Sequence, residues 1–74
     1  MAKTISILAE TTGKVWKLLC APGAVVEEGE TLMIIESMKM EIPVEAPRAG
    51  TLQEWKVGEG DPVQEGDEIA ILIG

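Results

Sequence analysis

The blocks "PGAVVEEGETLMII" (residues 22–35) and "EGDPVQEGDEIAIL" (residues 59–72) are one pattern written twice, 37 residues apart. The register extends outward from them. Gly13 falls on Gly50, Gly23 on Gly60 and Gly29 on Gly66; Ile5 meets Ile42, Ala9 meets Ala46 and Val26 meets Val63. Glycine takes positive φ without steric cost, so matched glycines imply matched turns. Two copies of a unit this short cannot each hold a core, so they must share one. The expected result is a single domain, residues 1–74, built from repeats 1–37 and 38–74 about a pseudo-two-fold axis.

Between the turn signals lie short runs rich in Val, Ile, Leu and Thr, which predict strands at about 4–8, 14–20, 24–27, 31–36, 40–46, 51–57, 61–64 and 68–73. Short strands at regular spacing with Gly, Pro and Asp punctuation indicate an all-β sandwich or barrel. Pro22, Pro43, Pro47 and Pro62 suit turns or sheet edges. After Gly13 the inward candidates are Val15, Leu18 and Cys20; after Gly50 they are Leu52, Trp55 and Val57. A step of three breaks the alternation of a strand, and one inserted bulge residue in each copy accounts for it. That count makes Trp55 a core residue, sets Trp16 at the rim, and gives Cys20 the role of a buried small hydrophobe. Gly29 and Gly50 are read as turn residues.

The composition excludes several classes. The 74 residues carry 13 acids against 6 bases, a net charge of −7. Such a surface repels nucleic acid, whose affinity rests on Lys and Arg neutralising phosphates, and equally an anionic membrane. There is no histidine and one cysteine, which removes zinc-type ligand sets and histidine acid–base chemistry. No apolar run approaches the length of a membrane-spanning helix. Glu10 closes the short apolar stretch after Lys3 too soon for a secretory signal, so a cytoplasmic protein is expected.

The symmetry also sets the geography. Lys39 falls at the turn joining the copies, and its formal counterpart would be Ala2 or a position past residue 74. The chain ends should therefore meet at one pole and Lys39 should stand at the other. Lysine at a hairpin tip is commonly only solvated, and methionine beside it commonly fills a core. Met38 and Met40 cannot both be core if Lys39 is the tip, however. An exposed thioether there gives up burial and suggests a recognition surface. The stalk "LMII" leading in and "IPV" leading out would hold one primary amine rigidly in view.

The stretch "ESMKMEIPVEAPRAGTL", together with the "AP..G" and "EGD.V..GD" blocks, resembles the biotinyl domains of the biotin carboxyl carrier family. The likeness covers essentially the whole chain. It implies a flattened barrel-sandwich hybrid of two four-stranded antiparallel sheets, the fold shared with lipoyl domains. It implies covalent biotin on Lys39, joined by a biotin protein ligase, with Met38 and Met40 read by the ligase and by the partner active sites; Glu36 and Glu41 are read first as a solvated face that keeps the tip soluble, with a part in the ligase's register as the second reading. Partners implied are a biotin carboxylase and a carboxyltransferase, between which biotin would carry carboxylate. The chain itself would be non-catalytic and monomeric. "ILAETTGKVW" leaves no room for the thumb insertion found in carriers of many bacterial acetyl-CoA carboxylases, so a thumbless carrier is expected, either free-standing or part of a longer carboxylase. Two alternatives stay open. One is a lipoyl carrier of a 2-oxo acid dehydrogenase complex, although those domains typically carry Asp-Lys-Ala at the tip; the other is an unmodified structural domain of lipoyl-like fold.

Overall fold

Every strand in the first half of the chain has a partner in the second. The computed structural model describes residues 3–74, in eight strands: β1 (Thr4–Leu8), β2 (Gly13–Leu18), β3 (Val25–Val26), β4 (Thr31–Ser37), β5 (Met40–Glu45), β6 (Gly50–Trp55), β7 (Pro62–Val63) and β8 (Glu68–Ile73). They form two four-stranded sheets, ordered β1-β8-β6-β3 and β5-β4-β2-β7, and every pairing is antiparallel. Adding 37 to the first half converts one order into the other, which is the pseudo-two-fold expected from the repeat. The turn hydrogen bonds repeat as well. Ala9 donates to Asp67 and accepts from Gly66, both at 2.8 Å; Ala46 donates to Glu30 at 2.8 Å and accepts from Gly29 at 2.9 Å. The matched turn glycines hold matched conformations, with φ of 94° and 92° at Gly23 and Gly60 and 85° and 93° at Gly29 and Gly66.

The two halves share one core. Leu32, Met33 and Ile35 from β4 meet Ile69, Ala70 and Leu72 from β8, with Val15, Val26, Leu52 and Val63 closing around them. A fully buried side chain of this kind contributes roughly 1.5–3 kcal/mol. No polar or charged side chain is buried among the described residues, so the interior makes no electrostatic demand on the site.

The bulges fall where the broken alternation placed them. The β2–β4 register shifts between Val15 and Lys17, and the β6–β8 register between Leu52 and Glu54. The extra residues are Trp16 and Gln53, matched positions. Beyond the bulges the strands run shorter than the apolar pattern suggested. β2 ends at Leu18 and β6 at Trp55, with Leu19 and Lys56 each making one further bond, to Leu32 and Ile69. Leu18, Cys20, Trp55 and Val57 therefore pack against the core from its margin and stay half-buried, where the alternation had made them interior. The Trp55 indole Nε1–H donates to the Cys20 carbonyl at 2.9 Å, which ties the two margins together.

Gly50 is not a turn residue. It is the first residue of β6, paired with Val26, and a Cβ there would collide with the Ile73 carbonyl; Gly13, the first residue of β2, is its counterpart, where a Cβ would stand 2.5 Å from the Glu36 carbonyl oxygen. Both glycines serve close approach of neighbouring strands.

The molecule is elongated, 39 × 18 × 17 Å. At one end Lys3 and Gly74 exchange both backbone hydrogen bonds, at 2.8 and 2.9 Å. Their repeat counterparts are Met40 and Ser37, which pair at the base of the Lys39 turn. The Lys3–Gly74 pair and the Lys39 turn thus occupy opposite poles; Ala2, the formal match of Lys39, lies outside the described residues.

Candidate functional site

Among the described residues, β4 and β5 are the only consecutive strands that neighbour each other in one sheet; the other connections cross from sheet to sheet. Their pairing runs from Thr31↔Glu45 to Ser37↔Met40 and leaves a two-residue loop, Met38–Lys39. Both loop residues have positive φ, 51° and 66°. A two-residue hairpin loop with positive φ at both positions is the mirror-image turn that matches the right-handed twist of strands, and Asn-Gly ordinarily fills it. A side chain in that conformation costs about 1–2 kcal/mol per residue. Two such residues persist because the base of the hairpin is held on every side. The Ser37 hydroxyl donates to the Thr12 carbonyl at 2.8 Å, Gly13 lets β2 close against β4, and Ile35 is fully buried two residues before Ser37.

The turn presents three exposed side chains in a row. Met38 is 92% exposed and Met40 63%, with Lys39 exposed between them. Neither thioether packs in the core, which removes the filler role for both. Lys39 makes no ion pair; among the described residues the one ion pair is Lys56–Glu54, at 3.5 Å. An amine at a hairpin tip with no carboxylate upon it is sterically open to acylation.

Glu36 and Glu41 face each other across the ladder just below the turn, and Lys14 on β2 lies opposite Glu36 on the other side. The outer face of the sheet therefore carries a cross-strand row, Lys14–Glu36–Glu41. Next to this row opens a cavity of about 250 Å³ between β2, Glu36 and the Gly60 turn, with Trp16 on its wall. Trp16 is 47% exposed and the Lys17 ammonium stands 6.0 Å from its ring centroid. Alternation identified Trp16 only as a rim residue. The signal that singles it out is its partner in the repeat: Gln53 fills the same bulge, so the scaffold does not require an aromatic there.

Cys20 stands apart from this site. Its Sγ lies 3.9 Å from the Leu32 carbonyl, and burial, reinforced by Glu30, raises its pKa. That is the opposite of an activated thiolate.

The family model described as "Biotin-requiring enzyme" matches residues 4–72. The chain is 47% identical over 69 residues to the biotin/lipoyl attachment protein of Bacillus subtilis, covering 93% of this chain and 92% of that protein. It is 46% identical over 61 residues to the pyruvate carboxylase of the same organism, covering 82% of this chain and 5% of the enzyme. Among solved structures, the urea carboxylase of Kluyveromyces lactis superposes with a TM-score of 0.89 at 36% identity, over 95% of this chain and 6% of that one. The chain thus spans nearly all of the small relative and a small part of the large enzymes. The family model, the sequence identity and the superposition agree: this chain belongs to the biotin/lipoyl attachment family.

Proposed function

We propose that this chain is a biotin carboxyl carrier and that Lys39 is the attachment residue. The observation that carries the reading is the turn itself, a lysine amine with no ion pair among the described residues, between two exposed methionines, at the pole opposite the Lys3–Gly74 pair. In the modification, the Lys39 ammonium first gives up one proton and its positive charge, and the Nζ lone pair so freed attacks the ligase-activated carboxyl carbon of biotin. An amide C–N bond forms, the activating group leaves with its bonding electron pair, and a second proton is released from the nitrogen. Bound biotin supplies a ureido nitrogen that takes up carboxylate at a biotin carboxylase and yields it at a carboxyltransferase.

The chain's own residues do the rest. β4 and β5 fix the direction of the arm, and confinement on a small tethered domain raises its effective concentration at each partner site. Met38 and Met40 offer a ligase two flexible, polarisable contacts beside the target amine. Glu36 and Glu41 give the stem a negative charge for register. The cavity beside Trp16 suits an uncharged cyclic urea, with an aromatic face, the Glu36 carboxylate for N–H donors and the Lys14 ammonium for a carbonyl. No residue of the site is arranged to carry out the carboxyl chemistry, so we read the chain as a carrier for separate catalytic partners, mobile as a monomer, in a cytoplasmic setting that suits its single thiol.

The test is intact mass after incubation with a biotin protein ligase, ATP and biotin. One biotinyl group is expected on the wild type and none on Lys39→Ala. Biotinylation that persists in Lys39→Ala, or a gain of lipoyl alone with a lipoate ligase, overturns the reading.

A further inference from the structure

β1 is an edge strand of one sheet and β5 an edge strand of the other, and residues of both line one flank of the barrel. Between them lies an open groove of about 480 Å³. Its floor is apolar, with Ile7, Ala9 and Val44 buried beneath it. Its rim carries Glu10, Glu45 and Glu65, and no lysine or arginine lines it. None of the three carboxylates is in an ion pair among the described residues.

β1 and β5 are repeat counterparts, yet their edges differ in chemistry. The reciprocal Lys3–Gly74 bonds set the alternation of the β1–β8 ladder, so Thr4 and Ser6 turn their N–H and C=O groups away from β8 toward the open edge. In β5 the Ser37↔Met40 pair sets the same alternation and leaves Glu41 and Pro43 facing outward. Pro43 has no N–H, which blunts that edge. Ser6 stands at the matched position of β1 and keeps its donor; its hydroxyl is engaged elsewhere, with Glu68. Leu8, half-exposed beside the groove, replaces the charge that β5 carries at Glu45. One edge is thus protected against pairing and the other is left available, next to apolar floor and unneutralised acid.

We propose that the β1 edge and the acidic groove beside it are a docking site for an extended basic segment of another protein, which adds a strand to β1 and sets Lys or Arg side chains on Glu10, Glu45 and Glu65. Main-chain bonds to Ser6 supply affinity and the carboxylates select the partner. A second copy of this chain does not fit, because it would bring its own acidic rim against this one and each chain carries a net charge of −7. The site is independent of what Lys39 carries, since the groove involves neither the turn nor the Trp16 cavity.

The test uses the whole chain and a capped strand-length peptide of alternating Lys and Val, followed by amide NMR shifts. Shifts confined to Ser6, Leu8, Glu10, Glu45 and Glu65 are expected, with an affinity that falls as salt rises. Ser6→Pro, which copies Pro43, should weaken binding up to roughly tenfold, the loss of one backbone hydrogen bond from the Ser6 N–H. Glu45→Lys with Glu65→Lys should weaken it at least comparably. If Ser6→Pro does not fold, the same peptide with its edge-facing nitrogens methylated carries the test, with equal charge and no donors. Absence of binding, shifts spread over every acidic residue, or an affinity indifferent to both Ser6→Pro and backbone methylation overturns the proposal. So does concentration-dependent dimerisation through Ser6 without peptide.

Discussion

Glu36 and Glu41 stand directly opposite each other across the β4–β5 ladder, one step below the turn that presents Lys39. Like charges in that relationship destabilise a sheet by roughly 0.2–1 kcal/mol, and a neutral pair would serve the fold better. The stem therefore holds a small electrostatic strain beside the amine. Glu41→Gln should raise the denaturant midpoint by an amount equivalent to about 0.5 kcal/mol. If the two acids give a ligase its register, the same variant should slow biotin transfer to Lys39 while leaving the final mass gain unchanged. Greater stability with an unaltered rate would assign the pair to solubility alone.

The turn itself holds more. Met38 and Lys39 both occupy the left-handed region, where a β-branched side chain fits worst. Met38→Val should therefore destabilise the domain by about 1 kcal/mol or more, although Met38 is almost wholly solvent-exposed and makes no core contact. Met38→Asn should do the reverse and stabilise it, because Asn tolerates this conformation. Thermal melting of the pair separates backbone strain from packing. Equal melting temperatures would show that the turn relaxes to another type when its first residue changes. Because Asn also removes the thioether, ligation of Met38→Asn tests recognition in a domain whose fold is intact.

Cys20 offers a pH-dependent check on the half-buried margin. Burial comes first and the Glu30 carboxylate second in raising its pKa above the ordinary thiol value of 9.0. The folded state thus holds the thiol proton more tightly than the unfolded chain does. The stability this contributes is fully present below the unfolded thiol pKa and is lost as pH rises through the folded one. Denaturant midpoints of the wild type should fall between neutral and alkaline pH more steeply than those of Cys20→Ala. At pH 8 the folded thiol should alkylate more slowly than the same chain in urea. An equal alkylation rate in both states would place Cys20 in free solvent.

The strands were legible because glycine spacing and apolar alternation are enforced by the shared core. Each bulge showed as a step of three, since Val15 and Leu18 in one copy and Leu52 and Trp55 in the other had to face the same interior. What was not legible depends on distances between strands far apart in the chain. Gly50 reads as a turn residue until Ile73 is seen crossing above it. Cys20 and Trp55 read as interior until the shortened ends of β2 and β6 are known. The conformation of the Lys39 turn carries no Asn-Gly signature, so residue type pointed away from the geometry adopted. The candidate site was read from Met-Lys-Met itself, whereas the Trp16 cavity needed the neighbour relation of Lys14 and Glu36 across two strands.

The two tryptophans divide between scaffold and candidate site. Trp16 is the extra residue of one bulge, half-exposed, and Gln53 fills the matched bulge without an aromatic ring. Trp55 packs against the core and its indole N–H bonds to the Cys20 carbonyl. Trp16→Gln should therefore change stability by no more than about 0.5 kcal/mol, the range of ordinary surface substitutions. Trp55→Gln should cost about 2–4 kcal/mol, through lost packing and a lost hydrogen bond. With Trp55 as internal reference, biotinylation should shift the Trp16 indole NMR signal and leave Trp55 in place, if the cavity beside Glu36 receives the ring of the arm. A modified chain in which neither indole moves would leave that cavity without a role in holding the arm. A Trp16→Gln variant that unfolds would instead make the exposed ring part of the scaffold, contrary to what its repeat partner indicates.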